Sequence, residues 1–348
     1  MPNAVIDLFC GVGGLTKGLE LANLNVIAGI DIDKNCEFAY ERNNNSHFIH
    51  SDISLINPND IGALYPPHTT RILVGCAPCQ PFSKYTQRYR KNGHTDNKWK
   101  LLYSFSDIIE VAKPSIISME NVPELTKENV FEDFTTYLSS RGYHYSWKIV
   151  FCPDYGVPQK RKRLVLLASL LGDIELIPPT HTPDNYLTVR DAIGFLPQLR
   201  HGEIDQQDPL HSSTKLSPIN LKRIQQSRPG GTWKDWEEQL RLPCHKKPSG
   251  KSYSSVYGRM QWNEPSPTIT TQFYGYGNGR FGHPEQDRAI SYREGALLQS
   301  FPIDYQFIDP EHPITKKILG THIGNAVPVE LGRVIGLSIQ QHLNIYGG

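Results

Sequence analysis

The sequence contains no apolar run approaching the roughly 18 residues that a membrane span requires, so a membrane role is not expected. An excess of charge of either sign is also missing. The 36 Lys and Arg residues face 35 Asp and Glu, a formal net of +1. That balance neither announces nor excludes a polyanionic partner, which needs a basic surface locally rather than a basic chain. Six cysteines in 348 residues are too few and too scattered for a disulfide framework, which points to a reducing compartment and free thiols. The first residues, Met1-Pro2-Asn3-Ala4-Val5, show no basic segment ahead of an apolar one. No secretory leader is therefore expected, and a cytoplasmic location is. Internal repeats and low-complexity tracts are absent as well.

What is present is a change of texture along the chain. In the first half, short β-rich runs alternate with helical patterns. Strands are expected at Ala4–Phe9, Asn25–Ile30, Arg71–Gly75, Ser115–Met119, Tyr145–Phe151 and Arg163–Ala168. Helical patterns fall around Leu101–Ala112 and Phe131–Ser140. Such alternation predicts an α/β fold with an open, mostly parallel sheet covered on both faces, its ligand lying beyond the carboxyl ends of the strands. From Pro178-Pro179 to about Gly282 the chain turns to Pro, Gly, Ser and polar residues, with basic and aromatic side chains interspersed. This reads as a smaller, irregular domain. Ordinary patterning returns near Ser291, and Val329–Leu343 reads as a closing helix.

Asp7-Leu8-Phe9-Cys10-Gly11-Val12-Gly13-Gly14 joins the first expected strand to the first helix. Glycines there let the backbone approach a ligand, and a helix start favours negative groups. The turn lacks the full G-x-G-x-x-G spacing, and many such turns are merely tight. Asp31, at the end of the second strand, is placed to accept hydrogen bonds from ribose hydroxyls, and Asp52, after the third, from an adenine amino group.

Gly75-Cys76-Ala77-Pro78-Cys79-Gln80-Pro81-Phe82-Ser83 follows the fourth strand. Three readings compete: a Cys76-x-x-Cys79 redox pair, half of a zinc site, or a single nucleophile at Cys79. No second cysteine pair exists to complete a zinc site, and no metal is expected. The Pro-Cys-Gln-Pro context behind a cofactor-like turn favours the nucleophile. Met119-Glu120-Asn121-Val122 ends the next strand, where a carboxyl group can hydrogen-bond or protonate a heteroaromatic ring. Gln159-Lys160-Arg161-Lys162-Arg163 precedes a further strand, and its alternating arginines are expected on one face. Between Lys84 and Lys100, six basic residues (Lys84, Arg88, Arg90, Lys91, Lys98, Lys100) meet one acid, Asp96, with Tyr85, Tyr89 and Trp99 among them. A loop of this kind beside a nucleophile suits closure over phosphates.

Taken in order, these motifs resemble the DNA (cytosine-5) methyltransferase family of bacterial restriction-modification type over nearly the whole chain. The resemblance rests on Phe9-Cys10-Gly11-Val12-Gly13-Gly14, Pro78-Cys79-Gln80, Glu120-Asn121-Val122 and Gln159–Arg163. It extends through Arg293-Glu294 with Leu297–Pro302, and through Gly324-Asn325-Ala326-Val327-Pro328. It implies a Rossmann-like, S-adenosyl-L-methionine-dependent catalytic domain (1–178), a smaller target-recognition domain (179–319) and a C-terminal segment (320–348) returning to the first. It further implies catalytic roles for Cys79, Glu120, Arg161 and Arg163. Cofactor contacts are implied at Phe9, Gly11, Gly13, Gly14, Asp31, Ile32, Asp52, Ile53, Pro78 and Asn325, the last resting on the family alone.

The implied reaction is transfer of a methyl group to carbon 5 of a flipped-out cytosine in duplex DNA, through a covalent Cys79 adduct. Contacts with DNA are expected from Gln80, Ser83, Lys84, Arg88, Arg228, Arg259, Thr270, Thr271 and Gln272. Sequence choice is expected between Lys222 and Arg280, where Pro267-Thr268-Ile269-Thr270-Thr271 resembles the family's Thr-rich element. Basic residues in that stretch are Lys222, Arg223, Arg228, Lys246, Lys247, Lys251, Arg259 and Arg280, among others. The expected partner is double-stranded DNA, met as a monomer, with a cognate restriction endonuclease acting separately. The alternative is a tRNA cytosine-5 methyltransferase. That branch carries a Cys-Phe-Thr signature absent here. A thiol–disulfide oxidoreductase would leave Glu120, Arg163 and Asn325 unexplained, and a catalytically dead relative would not need intact motifs.

Overall fold

The computed structural model describes residues 2–78, 100–247 and 256–347. They form two compact units, the first comprising 1–151, 162–179 and 327–348, the second 152–161 and 180–326.

The first unit is built in chain order from β1 (Asn3–Leu8), α1 (Gly14–Leu21), β2 (Val26–Asp31), α2 (Glu37–Asn43), β3 (His47–His50), α3 (Pro58–Leu64), β4 (Thr70–Gly75), α4 (Lys100–Ala112), β5 (Ile116–Asn121), α5 (Asn129–Ser140) and β6 (His144–Phe151). The chain then passes through β7 (Gln159–Lys160) of the second unit and returns as β8 (Lys162–Ser169). Seven strands form one sheet in the order β3-β2-β1-β4-β5-β8-β6. β1 to β5 run parallel, while β8 pairs antiparallel with both β5 and β6.

Alternation in the strands explains the burial. Ala4, Ile6 and Leu8 of β1 join Leu73 of β4, Ile117 and Met119 of β5 and Leu164, Leu166 and Ala168 of β8 in a core with α3, α4 and α5. The intervening residues Val5, Ile72, Val74, Ile116, Val165 and Leu167 are buried too, so both faces are covered, as a mostly parallel sheet requires. The expected strands and helices of the first half all form. The sheet reverses direction of growth at β1, with β2 on one side and β4 on the other. Beyond the carboxyl ends of these strands lies the crevice such sheets use for ligands.

Helix α1 is clasped by the C-terminal helix. A Cβ on Gly18 would lie 2.3 Å from the Val329 carbonyl oxygen, and one on Gly332 would lie 2.9 Å from that of Leu15. Only glycine at these crossings lets the two backbones touch.

The second unit contains α6 (Val189–Ile193), α7 (Pro218–Gln226), α8 (Pro243–Lys246), β9 (Ser266–Pro267), α9 (Tyr292–Leu298) and α10 (Lys316–Asn325), while α11 (Val329–Tyr346) belongs to the first. Although helix signals are weak here in the sequence, Pro218–Gln226 forms a helix, started by Ser217, whose hydroxyl accepts from the Asn220 N–H, and by Pro218 in its first turn. A buried aromatic cluster around Trp233, Trp236, Tyr257 and Tyr276 supplies a core. Glu294 is fully buried against Arg288, which donates at 2.7 and 2.6 Å, and this pairing holds its carboxyl down to about 2. Among the described residues no helix is long and apolar enough to cross a membrane.

Candidate active site

The loop after β1 carries the first half of the site. Phe9 has φ +62, a left-handed conformation that a bulky residue adopts only where surrounding structure imposes it. Gly11 (φ +51) and Gly13 (φ +85) continue the left-handed path that glycine accepts without strain. A Cβ built on Gly11 would meet nothing within 4 Å, so the backbone here faces open space. Gly13 caps α1, and Gly14 begins it. From the end of β2, Asp31 fixes the loop: its Oδ2 accepts the Gly11 N–H at 2.8 Å and its Oδ1 the Asp33 N–H at 2.9 Å. Ile32 beside it is 62% exposed. After β3, Asp52 is half-buried and accepts the Ser54 N–H at 2.8 Å. Ile53, expected at the cofactor, is buried in the core with Ile6, Leu8 and Ile30. Open backbone, a strained hydrophobic residue and two carboxylates at successive strand ends form a cradle that fits a nucleoside-bearing cofactor.

Beneath this cradle lies a group the sequence analysis did not single out. Asp7 of β1 is 1% exposed, and its Oδ2 accepts from the Thr16 hydroxyl at 2.7 Å. The Thr16 hydroxyl also lies 3.1 Å from the Tyr40 hydroxyl, which in turn lies 2.9 Å from Ser46. Burial pushes the Asp7 carboxyl up to about 7. Only its position on the face covered by α1 distinguishes it, and that emerges from the sheet register.

The second half of the site gathers at β4, β5 and β8. Gly75 pairs with Met119 in the parallel β4–β5 register, so Cys76 follows on beside Glu120 and shares its face. Glu120 pairs with Val165 in the antiparallel β5–β8 register, which puts Arg163 on the same face one diagonal away. The contacts follow from this geometry. Glu120 is 2% exposed; Cys76 Sγ donates to its Oε2 at 2.8 Å and Arg163 Nε lies 2.8 Å from its Oε1. The Asn121 amide donates to the Ala77 carbonyl at 3.1 Å, tying the segment that leads to Pro78 onto β5. Cys79, Gln80, Ser83, Lys84 and Arg88 lie outside the described residues.

Arg161 and Arg163 take different partners, which the reading of two guanidinium groups on one face did not anticipate. Arg161 precedes β8, is 3% exposed and donates to the Ile269 carbonyl at 3.1 Å within the second unit. Gln159 anchors the same place. Its amide nitrogen donates to the Leu298 carbonyl at 3.0 Å and to Gln299 Oε1 at 2.8 Å, and its oxygen accepts the Ile269 N–H at 2.9 Å. Gln299 donates onward to the Ile323 carbonyl at 2.8 Å. A Cβ on Gly324 would lie 2.5 Å from the Thr270 backbone, so the Thr-rich element rests directly on α10. Four of the sequence motifs thus meet in one hydrogen-bonded cluster, a relation no local pattern carries. Asn325 is exposed at the end of α10.

Of the residues expected at DNA in this unit, Thr270 and Gln272 are exposed, Thr271 is half-buried, and the Arg228 side chain is 82% exposed while pairing with Asp235. Lys222, Lys246, Lys247 and Arg280 are exposed as well. Arg259 is different. It is 5% exposed, and its guanidinium donates to the carbonyls of Ile224, His283 and Gln286 and to Asp287. Arg223 is also buried, donating to the Leu240 carbonyl and to Asn220. Lys251 lies outside the described residues.

An open α/β sheet with a glycine cradle at its switch point and a buried carboxyl two strands away defines a Rossmann-like enzyme class. The comparisons make this specific. A family model described as C-5 cytosine-specific DNA methylase matches residues 3–341. Type II methylase M.HgiDII of Herpetosiphon aurantiacus is 57% identical over 346 residues, covering 99% of this chain and 96% of its own length. Type II methyltransferase M.Sau96I of Staphylococcus aureus is 31% identical, with coverage of 98% and 76%. Among solved structures, a prophage-encoded E. coli protein described as a DNA modification methyltransferase superposes with a TM-score of 0.75 at 22% identity, covering 98% of this chain and 99% of that one. That last likeness concerns the fold alone. The chain belongs to the C-5 cytosine-specific DNA methylase family, and it is a DNA cytosine-5 methyltransferase of the type II restriction-modification kind.

Proposed function

We propose that this methyltransferase acts on a flipped-out cytosine in a specific duplex sequence, with S-adenosyl-L-methionine as methyl donor and Cys79 as covalent nucleophile. The observation that carries this reading is the buried Glu120 carboxyl, held by Arg163 and Cys76 on the strand beside the one that leads into Pro78-Cys79.

Phe9, Gly11, Gly13, Gly14, Asp31, Ile32, Asp52, Ile53 and Pro78 hold the cofactor in this reading, Ile53 as the buried floor beneath it, with Asn325 joining them by family resemblance. When bound, the cofactor supplies an electrophilic methyl group on a sulfonium. The chain's own part begins with the Cys79 thiolate adding to carbon 6, which moves the ring's π electrons onto carbon 5 and makes that carbon nucleophilic. Negative charge spreads to ring nitrogen 3, where a protonated Glu120 donates, and Arg163 orients that carboxyl. Once carbon 5 is methylated it gives up its proton to a base. The carbon–sulfur bond then breaks, the ring double bond re-forms and the thiolate is free. Carbon 6 is inaccessible inside a duplex, so the base leaves the stack.

Arg161 serves by position, fixing the Thr-rich element through Ile269. The exposed Arg228, Thr270 and Gln272, with Thr271, read or grip DNA, as do Gln80, Ser83, Lys84 and Arg88 near the nucleophile. Arg259 holds the second unit together rather than meeting DNA. The protein acts as a cytoplasmic monomer and protects sites that a partner restriction endonuclease cuts.

The test is DNA carrying 5-fluorocytosine, whose fluorine cannot leave as a proton does. Wild-type protein should form a denaturation-resistant adduct with it, and Cys79→Ser should not. An adduct that persists in Cys79→Ser would overturn the assignment. Bisulfite sequencing of host DNA would give the recognised site.

A further inference from the structure

Cys76 forms and breaks no bond in the reaction as described, yet its thiol donates to Oε2 of the proposed proton-donating carboxyl, Glu120, at 2.8 Å. We propose that Cys76 is a positioning residue that sets the orientation of Glu120. The inference rests on the reading of Glu120 as the group that meets ring nitrogen 3.

Glu120 has a long side chain, in which two torsions place the carboxyl carbon and a third turns the carboxyl plane. Burial at 2% exposure limits where that carboxyl can go but does not fix its plane. Two contacts made to different oxygens narrow it, one an ion pair and one a hydrogen bond. Arg163 Nε, at 2.8 Å from Oε1, pulls from the β8 side. Cys76 Sγ, at 2.8 Å from Oε2, pulls from the β4 side. With one oxygen beside a cation on one flank and the other accepting from a thiol on the opposite flank, one orientation of the carboxyl plane is favoured. The ion pair by itself would leave a carboxyl free to swing about a single anchor.

The anchors themselves are rigid. The Cys76 N–H donates to the Leu8 carbonyl at 3.3 Å, which extends the β4–β1 ladder one residue past Gly75. The Asn121 amide holds the next carbonyl, that of Ala77, at 3.1 Å. Cys76 therefore sits on a segment bonded to both neighbouring strands, which fixes its backbone and leaves its thiol only the Cα–Cβ torsion. Its spacing from Cys79 suggests a redox pair in the sequence, whereas its thiol turns to a carboxylate in the fold.

In its contact with Glu120 the thiol is the donor, so there a hydroxyl can replace it and a methyl group cannot. Cys76→Ala should lower kcat about tenfold, the size of a lost hydrogen bond to a charged group, while affinity for S-adenosyl-L-methionine and for DNA stays within about twofold. Cys76→Ser should recover most of that loss. The loss should fall on kcat with KM for both substrates unchanged, and Ser should restore kcat. A purely structural role would lower the unfolding temperature and disturb KM along with kcat.

The decisive measurement is a cycle with Glu120→Gln, read as kcat and as cofactor binding by calorimetry. If Cys76 acts through Glu120, adding Cys76→Ala to Glu120→Gln costs nothing further. Wild-type kcat in Cys76→Ala, with Glu120→Gln still severely impaired, would overturn the role of Cys76 and leave that of Glu120 standing. Full activity in Glu120→Gln would instead overturn the reading of Glu120 itself.

Discussion

Asp31 Oδ2 accepts the backbone N–H of Gly11 at 2.8 Å, so the carboxylate at the end of β2 shapes the loop at the end of β1. The same group is proposed to meet the cofactor's ribose. One substitution then removes both a ligand contact and the brace of the cradle. Asp31→Ala should weaken S-adenosyl-L-methionine binding by about 1–3 kcal/mol, measured by calorimetry. Unchanged affinity would place the cofactor elsewhere.

Two glycines separate binding from stability. Gly11 faces open space, but its φ of +51 disfavours a side chain. Gly11→Ala should cost about 1 kcal/mol of stability and fill the side where the cofactor approaches, so cofactor binding falls much more than folding does. At Gly18 a Cβ would lie 2.3 Å from the Val329 carbonyl oxygen. Gly18→Ala should push α1 and α11 apart at a cost of about 2–3 kcal/mol, seen in denaturant unfolding.

Asp7 gives a pH dependence with a definite sign. Burial raises its carboxyl to about 7 from 3.8, so the folded protein prefers the neutral acid. Its contribution is full below the unfolded value and is lost as pH rises from 3.8 through about 7. Asp7→Asn cannot ionise and should escape that loss. The variant should gain on the wild type between pH 5 and pH 8 in urea unfolding. His283, lowered to about 4 by burial, works in the opposite direction in this window but is common to both proteins. A stability difference that is flat with pH would count against a buried, titrating Asp7.

Arg163→Ala removes the cation beside a carboxylate that is 2% exposed. It should destabilise the fold by about 3 kcal/mol and abolish methyl transfer. Arg163→Lys should recover stability better than activity, because an ammonium cannot reproduce the guanidinium's fixed geometry. Thermal unfolding and a methyl-transfer assay on the same samples decide this. Equal recovery of both would argue that Arg163 only neutralises charge.

In the second unit, Arg228 and Arg259 should behave as opposites. Their side chains are 82% and 5% exposed. Arg228→Ala should leave unfolding unchanged and either weaken DNA binding generally or relax one position of the site. Arg259→Ala leaves three carbonyls and Asp287 without their donor and should cost about 3 kcal/mol or more. A stable Arg259→Ala with altered specificity would return that residue to DNA.

Local pattern by itself determined the strands of the first half, the glycine turn and the order of the motifs, because period-two burial and turn chemistry are written in neighbouring residues. Asp31 and Glu120 were legible for the same reason: each stands at the end of a readable strand, where an α/β sheet holds its ligand. What only the tertiary structure decided depends on register between strands distant in sequence. Cys76 looks like half of a redox pair until Gly75 is set against Met119 and its thiol meets Glu120. Arg161 and Arg163 look alike until one is found bonded to Ile269 and the other to Glu120. Arg259 reads as one more basic residue in a basic stretch, since the carbonyls that bury it lie 24 to 35 positions away. A charge in a sequence carries no mark of whether its partner is solvent, a ligand or its own chain; folding supplies that partner by bringing remote backbone into hydrogen-bond range.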